Sequence, residues 1–244
     1  STPIKSSAAS DVYKRQGGLR MIMYENLNMI ECGGVSCYIV KGKNGDVLID
    51  TGREQYRDHI ETWLMNYNVK LIILTHGHAS QVQNAAYFSK LYNAPIMASP
   101  LDMSLVSDSS SRPYYITNPW GHILKKRKDM NMRMHMNSFE PDICVEEGTD
   151  LSPYGIDGVI VNLEGHTRGS IGVLCKSSVG YDLYAGDAVA NLPFPMFPMT
   201  AESPLRAREA IERIIDLAPD RILVSHGKPI CCGDRSYKLF IDRS

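Results

Sequence analysis

Four times in this chain a short apolar run stops abruptly at a residue able to ligate a metal ion. Residues 69–74 run into Thr75-His76-Gly77-His78, residues 158–163 lead to Gly165-His166, residues 181–184 lead to Gly186-Asp187, and residues 221–225 end at His226-Gly227. Runs of four to six apolar residues read as strands buried in a sheet. Strand ends place side chains along one rim, and a rigid sheet holds them well enough to bind an ion. Histidines at i and i+2 on an irregular turn can both face one cation. Each signal is weak alone, because a histidine after a strand is commonly a hydrogen-bonded rim residue. Four in this order, each beside a glycine, point to a metal centre.

The rest of the chain supplies a layered α/β grammar. Residues 37–40 and 47–50 flank a Lys-Gly-Lys-Asn-Gly turn and predict a hairpin that ends at Asp50-Thr51-Gly52. Apolar positions at helical spacing predict helices over 54–67 and 81–92, with a short strand at 94–99. Residues 203–217 give the clearest helix, with Ser203 as N-cap and Pro204 in the first turn. Residues 100–140 are rich in Ser, Met, Asn and Pro, and an irregular insertion of that length predicts a lid or binding loop. Within it, Met130–Met136 alternates methionine with polar residues, which suits a packed edge or a flexible apolar wall to a pocket. His135 there reads as a surface residue.

Composition bounds the functional classes. The chain has 244 residues, 43% of them hydrophobic and 22% charged, which suits one domain with a sizeable core. A formal net charge of −1 gives no bulk electrostatic reason to bind nucleic acid or an acidic membrane, and the lone basic cluster Lys125–Lys128 reads as a solvated face. No apolar run is long enough to span a bilayer, so a cytoplasmic location is expected. The 6 cysteines show no metal-type pair; Cys32 and Cys37 flank a Gly-Gly turn but read as reduced, buried thiols. Residues 6–16 resemble the translation of a sequencing-library adapter of the kind met in shotgun or metagenomic data. Residues 1–20 are accordingly expected to be artefactual or disordered, and 21–244 to form the domain.

The ordered motifs Leu48-Ile-Asp-Thr-Gly, Thr75-His-Gly-His, Gly165-His-Thr-Arg-Gly-Ser, Gly186-Asp and Ser225-His-Gly-Lys-Pro resemble those of the metallo-β-lactamase superfamily, and the likeness extends from about residue 28 to 230. The resemblance implies a four-layered αββα sandwich with metals in a cleft along the sheet edges. It implies that His76, His78 and His166 hold a first metal, that Asp187 bridges, and that His226 belongs to a second site, with Asp50 structural beneath them. Within the superfamily the chain looks most like the glyoxalase II and lactonase-like hydrolases.

One departure stands out. The family pattern continues with Asp-His where this chain has Ser80-Gln81. Neutral, weakly basic side chains are poor zinc ligands. One tightly bound zinc is therefore expected, with the second site weak or absent. Zinc held by three histidines can bring a coordinated water to a pKa of about 7, enough to supply hydroxide. The expected function is a hydrolase of a small ester, thioester, lactone or amide, with Asp187 and His226 as catalytic residues and Lys228 placed to meet a carboxylate. The alternative is a catalytically inactive protein that keeps the metal for stability or ligand binding. An iron-using redox protein fits less well, because such relatives resemble carboxylate-rich dinuclear sites. The partner expected is a small-molecule substrate, with neither nucleic acid nor membrane and with a homodimer left open.

Overall fold

In residues 71–74 alternate side chains enter different cores, which is why this run lacks a polar face. Leu71 and Ile73 point between two sheets, while Ile72 and Leu74 pack under helices. The computed structural model describes residues 19–20, 27–108, 110–117, 121 and 138–232. The first sheet takes the strands β1 (Leu19–Arg20), β2 (Asn28–Cys32), β3 (Val35–Gly42), β4 (Gly45–Ile49), β5 (Val69–Ile73), β6 (Ile96–Ala98) and β8 (Ile143–Cys144) in that spatial order. The expected hairpin is β3 and β4, paired antiparallel from Tyr38↔Ile49 to Gly42↔Gly45. From β4 onward the neighbours are parallel, so β4, β5 and β6 all end at one edge.

The second sheet runs β16 (Ile230–Cys231), β15 (Arg221–Val224), β11 (Gly180–Gly186), β10 (Ile171–Ser177) and β9 (Gly158–Asn162). Strands β9 and β11 both pair antiparallel with β10, and β15 lies parallel to β11. Hence β9, β11 and β15 share a direction and finish at one edge. That edge meets the ends of β4 to β6 through cross-sheet bonds: the Ile171 N–H donates to the Thr75 carbonyl at 2.9 Å, and the Tyr38 hydroxyl to the Val224 carbonyl at 2.7 Å. The five strand ends that carry the candidate residues are thereby gathered at one rim.

Helices cover both outer faces. Ile60, Trp63 and Leu64 of α1 (Arg57–Leu64) and Phe88 of α3 (Ala85–Tyr92) pack on Ile39, Leu48 and Ile72. Ala210, Ile211 and Ile214 of α5 (Pro204–Leu217) pack on Leu183, Ala185 and Ile222. The result is the expected four-layered αββα sandwich. The Ser203 side chain accepts the Arg206 N–H and Pro204 opens α5, as the N-cap reading requires. The helix expected over 81–92 is instead two pieces, α2 (Ala79–Val82) and α3. Buried Asn84 explains the break: its Nδ2 donates to the carbonyls of Thr51, Gly52 and Arg53, which anchors the turn at the end of β4.

The insertion is structured where it is described. It opens with α4 (Met103–Ser107), and β7 (Tyr115–Ile116) pairs with β14 (Thr200–Ala201). The methionine alternation at 130–136, His135 and the Lys125–Lys128 cluster lie outside the described residues. Cys32 and Cys37 are buried free thiols, and burial, with the Glu31 charge, pushes Cys32 up to about 12. Among the described residues no helix is long and apolar enough to cross a membrane.

Candidate metal centre

His76 and His78 leave the end of β5, His166 follows β9, and Asp187 follows β11. One ligand atom from each of these four lies within 4.8 Å of all the others. His166 Nε2 stands 2.9 Å from His78 Nδ1 and 3.2 Å from Asp187 Oδ2, and His76 Nε2 is 3.8 Å from that same oxygen. Donors around a tetrahedral zinc with bonds near 2.0–2.1 Å lie about 3.3 Å apart, so the spacing suits one cation. A second observation agrees. Asp187 Oδ1 is buried with no hydrogen-bond partner among the described residues, an unfavourable state for a carboxylate oxygen unless an ion or water engages it. Burial pushes the Asp187 carboxyl up, but His226, His166 and His76 together pull it well below the usual carboxylate range. His226 sits one step outward, its Nε2 3.4 Å from Asp187 Oδ2. Burial lowers its affinity for a proton, and Asp187 and the Gly34 carbonyl raise it by more, so the net shift is upward.

Each ring is oriented by a partner on its other nitrogen. His166 Nδ1 donates to the Thr200 carbonyl at 2.6 Å, which leaves Nε2 for the cluster. His226 Nδ1 donates to the Gly34 carbonyl at 2.7 Å. His76 is held through a relay. Asp50 accepts both the N–H and the hydroxyl of Thr75 at 2.8 Å, and the Thr75 oxygen can then accept from His76 Nδ1 at 3.1 Å. Asp50 is thus a structural residue beneath the site, as the resemblance implies. Burial drives its pKa up to about 7, against the two Thr75 bonds that lower it. Gly165 has a φ of +148°, and a Cβ there would fall 2.3 Å from the Ala207 backbone nitrogen. Only glycine lets the His166 loop meet the start of α5.

Ser80 and Gln81 lie on α2 beside these ligands. The Ser80 hydroxyl donates to Gln81 Oε1 at 2.5 Å, and Gln81 is fully buried, with Nε2 unpartnered among the described residues. The amide oxygen, the better metal donor of the pair, is therefore already engaged. Lys228 is exposed at the rim. Asn191 fastens the loop after Asp187 to the His226 turn, donating its N–H to the His226 carbonyl and its Nδ2 to the Lys228 carbonyl, each at 2.9 Å.

Sequence reasoning missed Asp102. It is 1% exposed, and its carboxylate gathers Gly77 N–H at 2.9 Å, Gly169 N–H at 2.9 Å, the Thr167 hydroxyl at 2.6 Å and Arg112 at 2.6 Å. Gly77 separates the first two histidines, and Thr167 and Gly169 follow the third, so one side chain ties both ligand loops. The strand-end rule extended to β6 would have found it, as the first carboxylate after that strand. Burial raises its pKa, but the bonds from Thr167, Arg112 and Gly77 outweigh this and hold it below the usual value. A depressed folded pKa means that the unfolded chain takes up the proton first. The stability Asp102 contributes is therefore complete above about pH 4 and is lost as the pH falls below it. Asp102→Asn is expected to cost about 3–5 kcal/mol at pH 7, the usual loss when a buried ion pair is broken. Urea unfolding of the metal-free protein from pH 7 to pH 3 should show the gap between wild type and variant closing toward acid. A gap that stays constant would contradict the assignment.

Comparison with known proteins agrees with this geometry. Residues 30–226 match the family model described as the metallo-beta-lactamase superfamily. An uncharacterized protein from Aquifex aeolicus is 24% identical over 203 residues, covering 79% of this chain and 83% of its own. A metallo-beta-lactamase from Cronobacter sakazakii distinguished by a HARLDQ motif superposes with a TM-score of 0.63 at 14% identity, over 84% of this chain and 76% of its own. The di-iron-bound form of TTHA1623 gives 0.58 at 21% identity, over 82% and 90%. With the matched segment running from β2 to His226 and taking in every candidate ligand, the chain belongs to the metallo-beta-lactamase superfamily.

Proposed function

We propose that this protein is a mononuclear zinc hydrolase acting on a small ester, thioester, lactone or amide. The observation that carries the reading is the convergence of His76, His78, His166 and Asp187 within 4.8 Å, with Asp187 Oδ1 buried and unengaged. Three imidazoles and one carboxylate suit zinc better than magnesium or calcium, which prefer all-oxygen shells. Superfamily members are commonly hydrolases, and the iron of TTHA1623 is a property of that protein. When bound, zinc would supply Lewis-acid chemistry, polarising a carbonyl and lowering the pKa of a coordinated water to about 7.

The chain's own residues would supply the remainder. Asp187, held ionised by three histidines, presents Oδ1 as an acceptor able to orient a water or take its proton. His226, with Nδ1 tied to Gly34 and its proton affinity raised, can hold a proton at Nε2 and pass it to a leaving group. Ser80 and Gln81 satisfy each other and offer a second cation only neutral donors. The HARLDQ motif of the Cronobacter protein likewise ends in Gln, as does His76-Gly-His-Ala-Ser-Gln81 here. Leu192 and Phe194, exposed on the loop that Asn191 fastens beside His226, are placed to meet an apolar substrate group.

A panel of chromogenic esters, thioesters, lactones and anilides, run with zinc and with a chelator, tests the reading. Turnover of at least one class is expected with zinc and its disappearance on chelation. A blank panel, with a chelator still lowering the melting temperature, would instead establish the non-catalytic metal-binding protein.

A further inference from the structure

We propose that Arg112 is a positioning residue through which the 100–140 insertion sets the geometry of the metal centre; the proposal rests on the metal reading above. Arg112 lies in that insertion, and its guanidinium bridges two carboxylates that are themselves nearly closed to solvent. Nη2 meets Asp102 Oδ1 at 2.6 Å and Nε meets Glu202 Oε1 at 3.1 Å, while Nη1 donates to the Leu101 carbonyl at 3.2 Å. Side-chain exposure is 14% for the arginine, 2% for Asp102 and 9% for Glu202.

The two acids hold the His166 loop from both sides. Asp102 takes the Thr167 hydroxyl and the Gly169 N–H. Glu202 takes the Arg168 N–H at 2.9 Å on its carboxylate, and its own N–H donates to the His166 carbonyl at 3.1 Å. Asp102 also grips Gly77, between His76 and His78. One cation therefore closes a ring that spans both ligand loops.

The neighbouring strand reinforces the link. Ile116 pairs with Thr200, whose carbonyl fixes the His166 ring, and the Thr117 N–H donates to the Met199 carbonyl at 3.3 Å. Without the arginine, two buried like charges face each other across the loop, and repulsion would move the backbone that carries His166. A forked guanidinium can meet both acids together, whereas an ammonium acts as a point charge.

The test is zinc affinity by competition with a chromophoric chelator, read beside the cobalt(II) d–d spectrum and the metal-free melting curve. Arg112→Gln is expected to weaken zinc binding about 10–100-fold, the usual loss when the support of a ligand is removed, and to shift the cobalt bands. Arg112→Lys should recover part of the affinity. It also serves as the measurable variant if the glutamine protein does not fold. Affinity within twofold of wild type and an unchanged spectrum in the folded variant would overturn the proposal. So would a lower melting temperature alone, since that is what a merely structural salt bridge gives. Wild-type protein that binds neither zinc nor cobalt would overturn the metal centre itself, and the positioning role with it.

Discussion

Replacing His166 with alanine is expected to lower zinc affinity by more than about 100-fold, beyond what loss of a supporting hydrogen bond costs, and to reduce hydrolysis to background. His166 is the ring at the middle of the cluster, with Nε2 facing both His78 Nδ1 and Asp187 Oδ2. The folded state should survive, because the substitution removes one side-chain bond to the Thr200 carbonyl, worth about 1–3 kcal/mol. The same variant should lose a stabilising effect that wild type shows. His76 and His78 come from the first sheet, and His166 and Asp187 from the second, so one ion joins the two halves of the sandwich. Zinc at about 100 times its dissociation constant would add about 2.7 kcal/mol to wild-type stability. Thermal melts at increasing zinc should climb for wild type and stay flat for His166→Ala. Equal zinc-dependent gains in the two proteins would remove His166 from the ligand set.

How far the site could be read in the sequence depended on how each residue is held. The strand-end histidines and Asp187 were legible because a buried strand shows as an uninterrupted apolar run, and its end marks the rim. The four layers followed from the same runs: Leu71 and Ile73 face one core while Ile72 and Leu74 face the other. The break between α2 and α3 was not legible. It depends on Asn84 reaching three carbonyls about thirty residues away in sequence, and its neighbours keep helical spacing. Asp102, Arg112 and Glu202 escaped for a related reason. Their partners lie across the fold, at separations of up to 67 residues for the Asp102 bond to Gly169. In sequence they are single charged residues in an irregular stretch. The carbonyls of Thr200 and Gly34, which set two imidazole orientations, leave no side-chain trace at all.

Wild-type protein is expected to retain about one zinc per chain after dialysis, and the double substitution Ser80→Asp with Gln81→His to retain about two. The native pair is neutral, and the Ser80 hydroxyl already occupies the Gln81 oxygen. The double variant would exchange these for a carboxylate and an imidazole, both good zinc donors, close to the bridging candidate Asp187 and to His226, 3.4 Å from Asp187. The added charge has a consequence in the metal-free state. A new carboxylate near buried Asp187 brings like charges together without an ion between them. The variant should therefore melt below wild type when stripped of metal and regain more on zinc addition, whereas a passive surface change would shift both states equally. Metal analysis by emission spectroscopy, paired with melts at fixed zinc, separates the outcomes. Two equivalents in wild type would show that Ser80 and Gln81 do not disable the second site. One equivalent in the folded double variant would show that something other than these two residues excludes the second ion.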